Sequence, residues 1–466
     1  MKPYGKSFST NRAGANSAHA EDVNSAWYYD SPNLFDRGIQ IATGISKFTQ
    51  ADFSTLAFGD VRLICASLYP IERGFFKNRL GQGIVSDIVD DFITGVGRER
   101  VDAIQNMTNY FEDVNLEYEF YKALHNQPIE TLSGTYKYMM VSSYAEMQRI
   151  LSDDPMRDQI VFVVMTIEGL HVLNENENGA PDENKFLANV RKIKNWDFPP
   201  VFVTFSHHFY NHLCGHARSL TGIVGKNTDQ RNGLNTGFTP LGKKVLSEVL
   251  SENNGRRIHV DIKHMSATGR KEYFQLLQEN YPAQSIPVIV SHGAANGLRS
   301  MDEPVVDGTA TGHKLLQEDI NFYDNEIVMV AKTHGIFGLQ LDERRVASDQ
   351  TLRSVKHSLF MKKIRHYRSE LLWNQIQHIA ELLDRNNLPA WNCIAIGSDF
   401  EGIINPLNGY LTAETFVHLE EFTERHAFNY MKDRGRQLNT FNQITPDDIV
   451  TRIFHSNGMD FFRKFY

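Results

Sequence analysis

Histidines and carboxylates stand directly behind short apolar runs at five places in this sequence. Residues 160–167 lead into Glu168, 201–205 into Ser206-His207-His208, 258–262 into Lys263-His264, 286–290 into Ser291-His292, and 392–396 into Gly397-Ser398-Asp399. Imidazole and carboxylate are ligands that zinc accepts, and a carboxylate can bridge two ions. Two such ions a few ångströms apart hold a hydroxide at neutral pH and polarise a carbonyl, so the chemistry indicated is hydrolysis. Each residue also has an ordinary structural reading. Glu168 can pair with a buried arginine, Asp399 can cap a helix, and a histidine behind a strand is commonly a hydrogen-bonded loop residue. Recurrence at five matching places is what sets the functional reading apart.

The elements that must position these groups are legible around residues 258–292. Two β-branched runs, 258–262 and 286–290, flank a segment, 267–281, whose Tyr273, Phe274, Leu276 and Leu277 recur at helical spacing behind a Ser266 N-cap. This is a β–α–β unit. Its strands are parallel, so His264 and His292 fall at the same ends. Further strands are expected over 61–69, 160–167, 201–205, 335–341 and 392–396, with 136–141 as an accessory strand. Helices are expected over 84–93, 101–110, 144–151, 184–194, 241–250, 322–332 and 353–387, and again from Ala413. Run 160–167 is apolar almost throughout, as a strand covered on both faces would be.

Alternating strands and helices imply a parallel sheet. Polar groups at five strand ends favour a TIM-type (β/α)8 barrel, where those ends meet at one mouth, over a doubly wound sheet, which spreads them along an edge. The expected count is seven strands, one short of eight. Residues 1–56, rich in Asn, Ser, Ala and Gly, read as an irregular N-terminal segment, and 57–466 as one barrel with insertions and C-terminal helices.

A chain of 466 residues with a formal charge of −8 carries no basic stripe to neutralise phosphates, which excludes a nucleic-acid binder. Cys65, Cys214 and Cys393 are far apart and form no C-x-x-C pair, so neither a disulfide framework nor a thiolate zinc site is indicated. Cys65 and Cys393 sit in apolar runs and are expected in the core. No apolar run approaches the ~20 residues that span a bilayer, and M-K-P-Y-G-K-S-F-S-T lacks a signal peptide's apolar segment. A cytoplasmic protein acting on a small molecule is the expectation, with export open if the native start lies upstream. Monomer and homodimer both stay open.

The ordered motifs E-G-x-H, S-H, G-F-T-P-L-G, D-I-x-H-M-S, P-V-I-V-S-H and G-S-D-F-E-G, closing with H-S-N-G-M-D-F-F, resemble the renal or membrane dipeptidase family, the M19 peptidases of the amidohydrolase superfamily. The resemblance runs from about residue 58 to the C-terminus. It implies a (β/α)8 barrel of the metal-dependent hydrolase type, bearing two zinc ions and cleaving dipeptides. It further implies that Glu168 bridges the ions, that His264 and His292 complete the second site, and that Asp399 binds the first and handles the proton. His207 matches the histidine that stabilises the developing oxyanion. His171, His208, His212 and His216 receive no role and read as supporting or loop residues.

Two departures from the family pattern stand out. The first barrel strand of that family ends in H-x-D or H-x-H, and nothing here matches it. His19-Ala20-Glu21 has the spacing but follows no apolar run. A chain beginning just downstream of that strand would lack both the motif and the eighth strand, leaving the second metal site the more complete. The family's arginine for the substrate carboxylate is also unmatched, and Arg299 stays open between a substitute for it and a surface residue. Three functions therefore stand open: a zinc dipeptidase, an amidohydrolase acting on N-acyl amino acids or lactams, and a catalytically silent barrel that binds a ligand or partner.

Overall fold

The computed structural model describes residues 15–43, 48–76, 96–306 and 308–466. The helix expected over 84–93 and the opening M-K-P-Y-G-K-S-F lie outside them. Contacts group the chain into two compact units, Met1–Pro282 with Glu401–Ile403, and Ala283–Phe400 with Ile404–Tyr466.

The first unit holds strands β1 (Leu63–Leu68), β2 (Ile129–Thr131), β3 (Gly134–Met140), β4 (Ile160–Glu168), β5 (Phe202–Thr204) and β6 (His259–Asp261). All nine residues of β4 are buried, and its run of Val and Ile suits a strand covered on both faces. It pairs in parallel with β1 over Phe162–Ile167, with β3 over Ile160–Val163, and with β5 at Ile167 and Glu168. β5 pairs in parallel with β6, while β2 closes an antiparallel hairpin on β3. The segment expected as an accessory strand is thus a full parallel member of the sheet.

Helices Glu183–Lys194, Pro240–Leu250 and Ala267–Asn280 follow β4, β5 and β6. Each begins at a side-chain cap: Asp182 accepts from the Asn184 and Lys185 amides, Thr239 from Gly242 with Pro240 in the first turn, and Ser266 from Gly269.

Residues 1–56 contain more structure than their composition indicates. Short helices occupy Leu34–Thr43 and Phe53–Phe58, the second capped by Asp52. Trp27, Phe48 and Phe53 are fully buried or nearly so, and the Phe53 ring stacks on Tyr138 of β3 at 4.2 Å. These aromatics are spaced without any helix or strand period, so a periodicity reading passes over them.

The second unit holds β7 (Ile289–Gly293), β8 (Ile336–Leu339) and β9 (Ile394–Ile396), all parallel. Its strands approach closely because glycine permits it: a Cβ on Gly338 or Gly397 would lie 2.1 or 1.9 Å from the Ser291 carbonyl oxygen. The helical region expected over 353–387 divides into Asp349–Ser354 and the 25-residue helix Met361–Arg385. Near the C-terminus, Asn457 donates to the Trp391 and Ile394 carbonyls, which gives the H-S-N-G-M-D-F-F motif its place beside β9. Cys393 is buried as expected, but Cys65 is exposed. It stands on the face of β1 shared with Leu63 and Ser67, which is less covered than the face carrying Ala66 and Leu68.

Candidate metal centre

One register row sets the geometry of the first unit's site. Glu168 of β4 is level with Thr204 of β5, and Thr204 with Asp261 of β6. Because the three strands are parallel, residues just past that row emerge at the same end. Glu168 lies in the row, while His207 and His264 each stand three residues beyond it. Thr204 donates its hydroxyl to Asp261 at 2.7 Å and locks the row laterally.

The side chains converge accordingly. The Glu168 Oε1 atom lies 3.2 Å from His207 Nε2 and 3.7 Å from His264 Nε2. His264 adopts a left-handed backbone, φ 64°, which is costly for a non-glycine residue and typical of a side chain held to a task. Gly169, at φ 96°, makes the turn out of β4, and a Cβ there would meet His171 Nδ1 at 2.5 Å. The glycine of E-G-x-H is therefore demanded twice, by conformation and by space.

Glu72 is the member of this site that the motif reading missed. It is buried, four residues past the end of β1, and its Oε2 atom lies 2.6 Å from His207 Nδ1. The Phe209 amide and the Tyr69 hydroxyl donate to the same carboxylate at 3.0 and 3.1 Å. Burial alone would raise the Glu72 carboxyl, but the charge of His207, with that of His171 and the hydrogen bond from His207, holds it well below the usual range. Burial likewise opposes charge on His207, yet Glu72 and Glu168 lift it to about 9. Burial and the neighbouring His207 charge push His264 well down. The cue for Glu72 was available, since it too is a carboxylate shortly after a strand. Pro70 and Ile71 intervene and blur the strand's end.

The remaining histidines fall into different surroundings. His171 is buried, its Nε2 2.8 Å from the Pro70 carbonyl, and burial keeps it low. His216 is tied to the carbonyls of Ala217 and Asn232. His208 differs from both. It is half-buried, its Nδ1 lies 2.7 Å from the Ser219 hydroxyl, and its ring centroid is 3.8 Å from that of His207 and 5.0 Å from that of His264. One ligand atom each from His207, His208 and His264 lie within 4.8 Å of one another.

In the second unit, His292 Nε2 is 3.9 Å from Asp399 Oδ2, and His292 Nδ1 is 2.8 Å from the Ser291 hydroxyl. Asp399, like His264, has a left-handed backbone, φ 58°. Arg299 is half-exposed in an ion pair with Glu303 at 2.6 Å. His19 lies in the described N-terminal segment, where its amide hydrogen-bonds the Ser17 hydroxyl.

No protein-family model and no curated protein matches the sequence. Among solved structures, the chain is similar to a dipeptidase described as a metallopeptidase of family M19, with a TM-score of 0.51 and 12% identity over 90% of each chain. It is also similar to a metallopeptidase from Rhodobacter sphaeroides liganded with a phosphinate mimic of the dipeptide L-Ala-D-Ala, with a TM-score of 0.49 and 11% identity over 93% of this chain and 95% of that one. A third is the probable dipeptidase PvdM from Pseudomonas aeruginosa, with a TM-score of 0.45 and 12% identity over 89% and 88%. The first likeness establishes a shared fold, and the resemblance read from the motifs points the same way. Among the described residues, no helix is long and apolar enough to cross a membrane.

Proposed function

We propose that this chain is a zinc-dependent hydrolase of the membrane dipeptidase type, built on a (β/α)8 barrel and cleaving a dipeptide or a related small amide. The observation that carries the reading is the convergence of Glu168, His207 and His264 at parallel strand ends, with Glu72 fixing the ring of His207. The donor chemistry fits zinc, which takes neutral imidazole together with carboxylate. Burial keeps His264 neutral, as a ligand must be. The proposed ligands are Glu168, His264, His292 and Asp399, with Glu168 as the bridge if two ions bind. When bound, zinc supplies an activated water and polarises the scissile carbonyl.

The chain's own groups do the rest. His207, whose Nδ1 is held by Glu72, would turn its Nε2 proton from Glu168, once that carboxylate is engaged by metal, to the oxygen that gains charge as the amide carbon becomes tetrahedral. Asp399 receives the proton of the attacking water and passes it to the leaving amine. Arg299 would meet the substrate carboxylate by exchanging its Glu303 partner for it.

A panel of dipeptides, N-acyl amino acids and small lactams offered to the zinc-loaded chain tests this. Release of amine from a dipeptide, abolished by a chelator, is expected. His264→Ala should lose both activity and most bound zinc. Full zinc retention in that variant would remove the ligand assignment, and no turnover across the panel would remove the enzyme reading.

A further inference from the structure

The long helix Met361–Arg385 of the second unit begins against the usual chemistry of helix starts. Unpaired amides and the helix dipole make that end positive, so it favours a Ser, Thr, Asp or Asn cap and acidic residues in the first turn. Here Phe360 stands at the cap position with no side-chain bond to an amide, the first turn holds no acidic residue, and Lys362 and Lys363 occupy it instead. Each of these residues weakens the helix. Residues that oppose their own local structure are expected where they serve another purpose.

What they share is exposure. Leu359 is 99% exposed, Phe360 71% and Met361 39%, three consecutive large apolar side chains on one turn. Single exposed apolar residues are ordinary, whereas a contiguous set marks a surface that meets something. The turn is also held in place: the Phe360 amide donates to the Ser358 hydroxyl at 3.1 Å, and the Phe360 carbonyl accepts from the Lys363 and Ile364 amides at 2.9 and 3.0 Å.

Cations surround this tip. Lys363 Nζ lies 5.7 Å over the Phe360 ring, and Lys356 Nζ 5.9 Å over the ring of Tyr367 in the helix's second turn. Lys356, Lys362 and Lys363 are exposed and form no ion pair among the described residues. Between Asp349 and Glu370 the chain holds six Lys and Arg and no Asp or Glu, in a protein whose formal charge is −8. The acids that face the tip are Glu421 and Glu424, which line a groove with Lys362, Lys363, Arg425 and Phe428. Glu421 is already paired with Arg425, and Phe428, 58% exposed, extends the apolar surface.

We propose that this tip docks the protein on an anionic lipid bilayer. Leu359, Phe360 and Met361 enter the boundary between headgroups and acyl chains, while Lys356, Lys362 and Lys363 keep their ammonium groups on the lipid phosphates. A side chain as exposed as Leu359 touches almost nothing of its own protein. That suits insertion, where acyl chains pack around it from every side. The metal centre plays no part in this proposal.

Co-sedimentation of the full chain with vesicles of phosphatidylcholine alone, and of an equal mixture of phosphatidylcholine and phosphatidylglycerol, tests it. Wild type should pellet with the mixed vesicles only, and raised salt should release it. Leu359→Ser/Phe360→Ser and Lys356→Glu/Lys362→Glu/Lys363→Glu should each bind the mixed vesicles roughly tenfold more weakly or worse. The second variant places acids where a helix start favours them, so it should melt at or above the wild-type temperature. Phe360→Trp keeps the tip apolar, and its emission should move to the blue on the mixed vesicles alone, beyond any change in wild type. Wild type left in the supernatant, variants that bind like wild type, or binding indifferent to lipid charge and salt would each overturn the proposal. Self-association that the serine pair abolishes, without vesicle binding, would overturn it in favour of an interface between copies of the chain.

Discussion

Glu72 and His207 show how one buried pair can decide the chemistry of a site. A carboxylate 2.6 Å from Nδ1 fixes which way the imidazole faces and favours its charged form. Gln at position 72 keeps the shape of the side chain but removes that charge. Glu72→Gln should therefore lower kcat on a dipeptide substrate by roughly 10- to 100-fold, with a smaller change in KM, the size of effect typical of an orienting partner. Steady-state kinetics check this, and a variant with wild-type kcat would show that His207 needs no such partner. Gly169 makes a second prediction at this scale. An alanine there would be strained at φ 96° and would press on His171, so Gly169→Ala should cost about 1–3 kcal/mol of stability in urea titration.

Among the elements, what was legible followed the physics of burial. Strands such as β4 announce themselves because both faces are covered and the run becomes almost uniformly apolar, and Glu168 is conspicuous as the charge that closes it. The caps of the helices that follow are equally readable, since Ser266 and Thr239 satisfy amides the helices cannot. Glu72 was hidden because a Pro-Ile step separates it from its strand, and the core role of Trp27, Phe48 and Phe53 because irregular backbone has no period to betray it. The pairing of helices was also beyond the sequence: His426 on Phe416–Asp433 accepts or donates at 2.9 Å to Ser369 of Met361–Arg385 and stacks on His366. Burial, reinforced by the neighbouring His366, pushes His426 down to about 4. Its folded pKa lies below the unfolded value of 6.5, so the unfolded chain binds the extra proton. Stability from this residue is complete above pH 6.5 and is lost as pH falls toward 4. Wild type should lose about 2 kcal/mol more than His426→Gln between pH 7 and pH 5, measured by urea unfolding at each pH. Parallel pH profiles for the two proteins would refute the assignment.

At the scale of the whole molecule, the first unit is not a continuous piece of chain. Glu401–Ile403 belongs to it although more than a hundred residues of the second unit come between. The tie is specific: Glu401 Oε1 accepts from the amides of Gln50 and Ala51 at 2.6 and 3.1 Å, and the Glu401 amide donates to Gln50 Oε1 at 2.7 Å. Glu401 and Ile403 both adopt left-handed backbone, φ 68° and 62°, strain that persists only where surrounding contacts impose it. This short return pins the N-terminal segment next to Asp52, which caps Phe53–Phe58, and so holds Phe53 against Tyr138. Two charge-assisted hydrogen bonds of roughly 1.5–3 kcal/mol each are at stake. Glu401→Ala should therefore cost about 3 kcal/mol or more in urea titration. Glu401→Gln, whose side-chain oxygen can still accept from both amides, should cost clearly less. Equal losses in the two variants would mean that the charge of Glu401 matters and its hydrogen bonds do not. No loss in either would mean that the N-terminal segment is held by its buried aromatics alone, a result that Trp27→Ala and Phe53→Ala would then have to reproduce as the larger destabilisation.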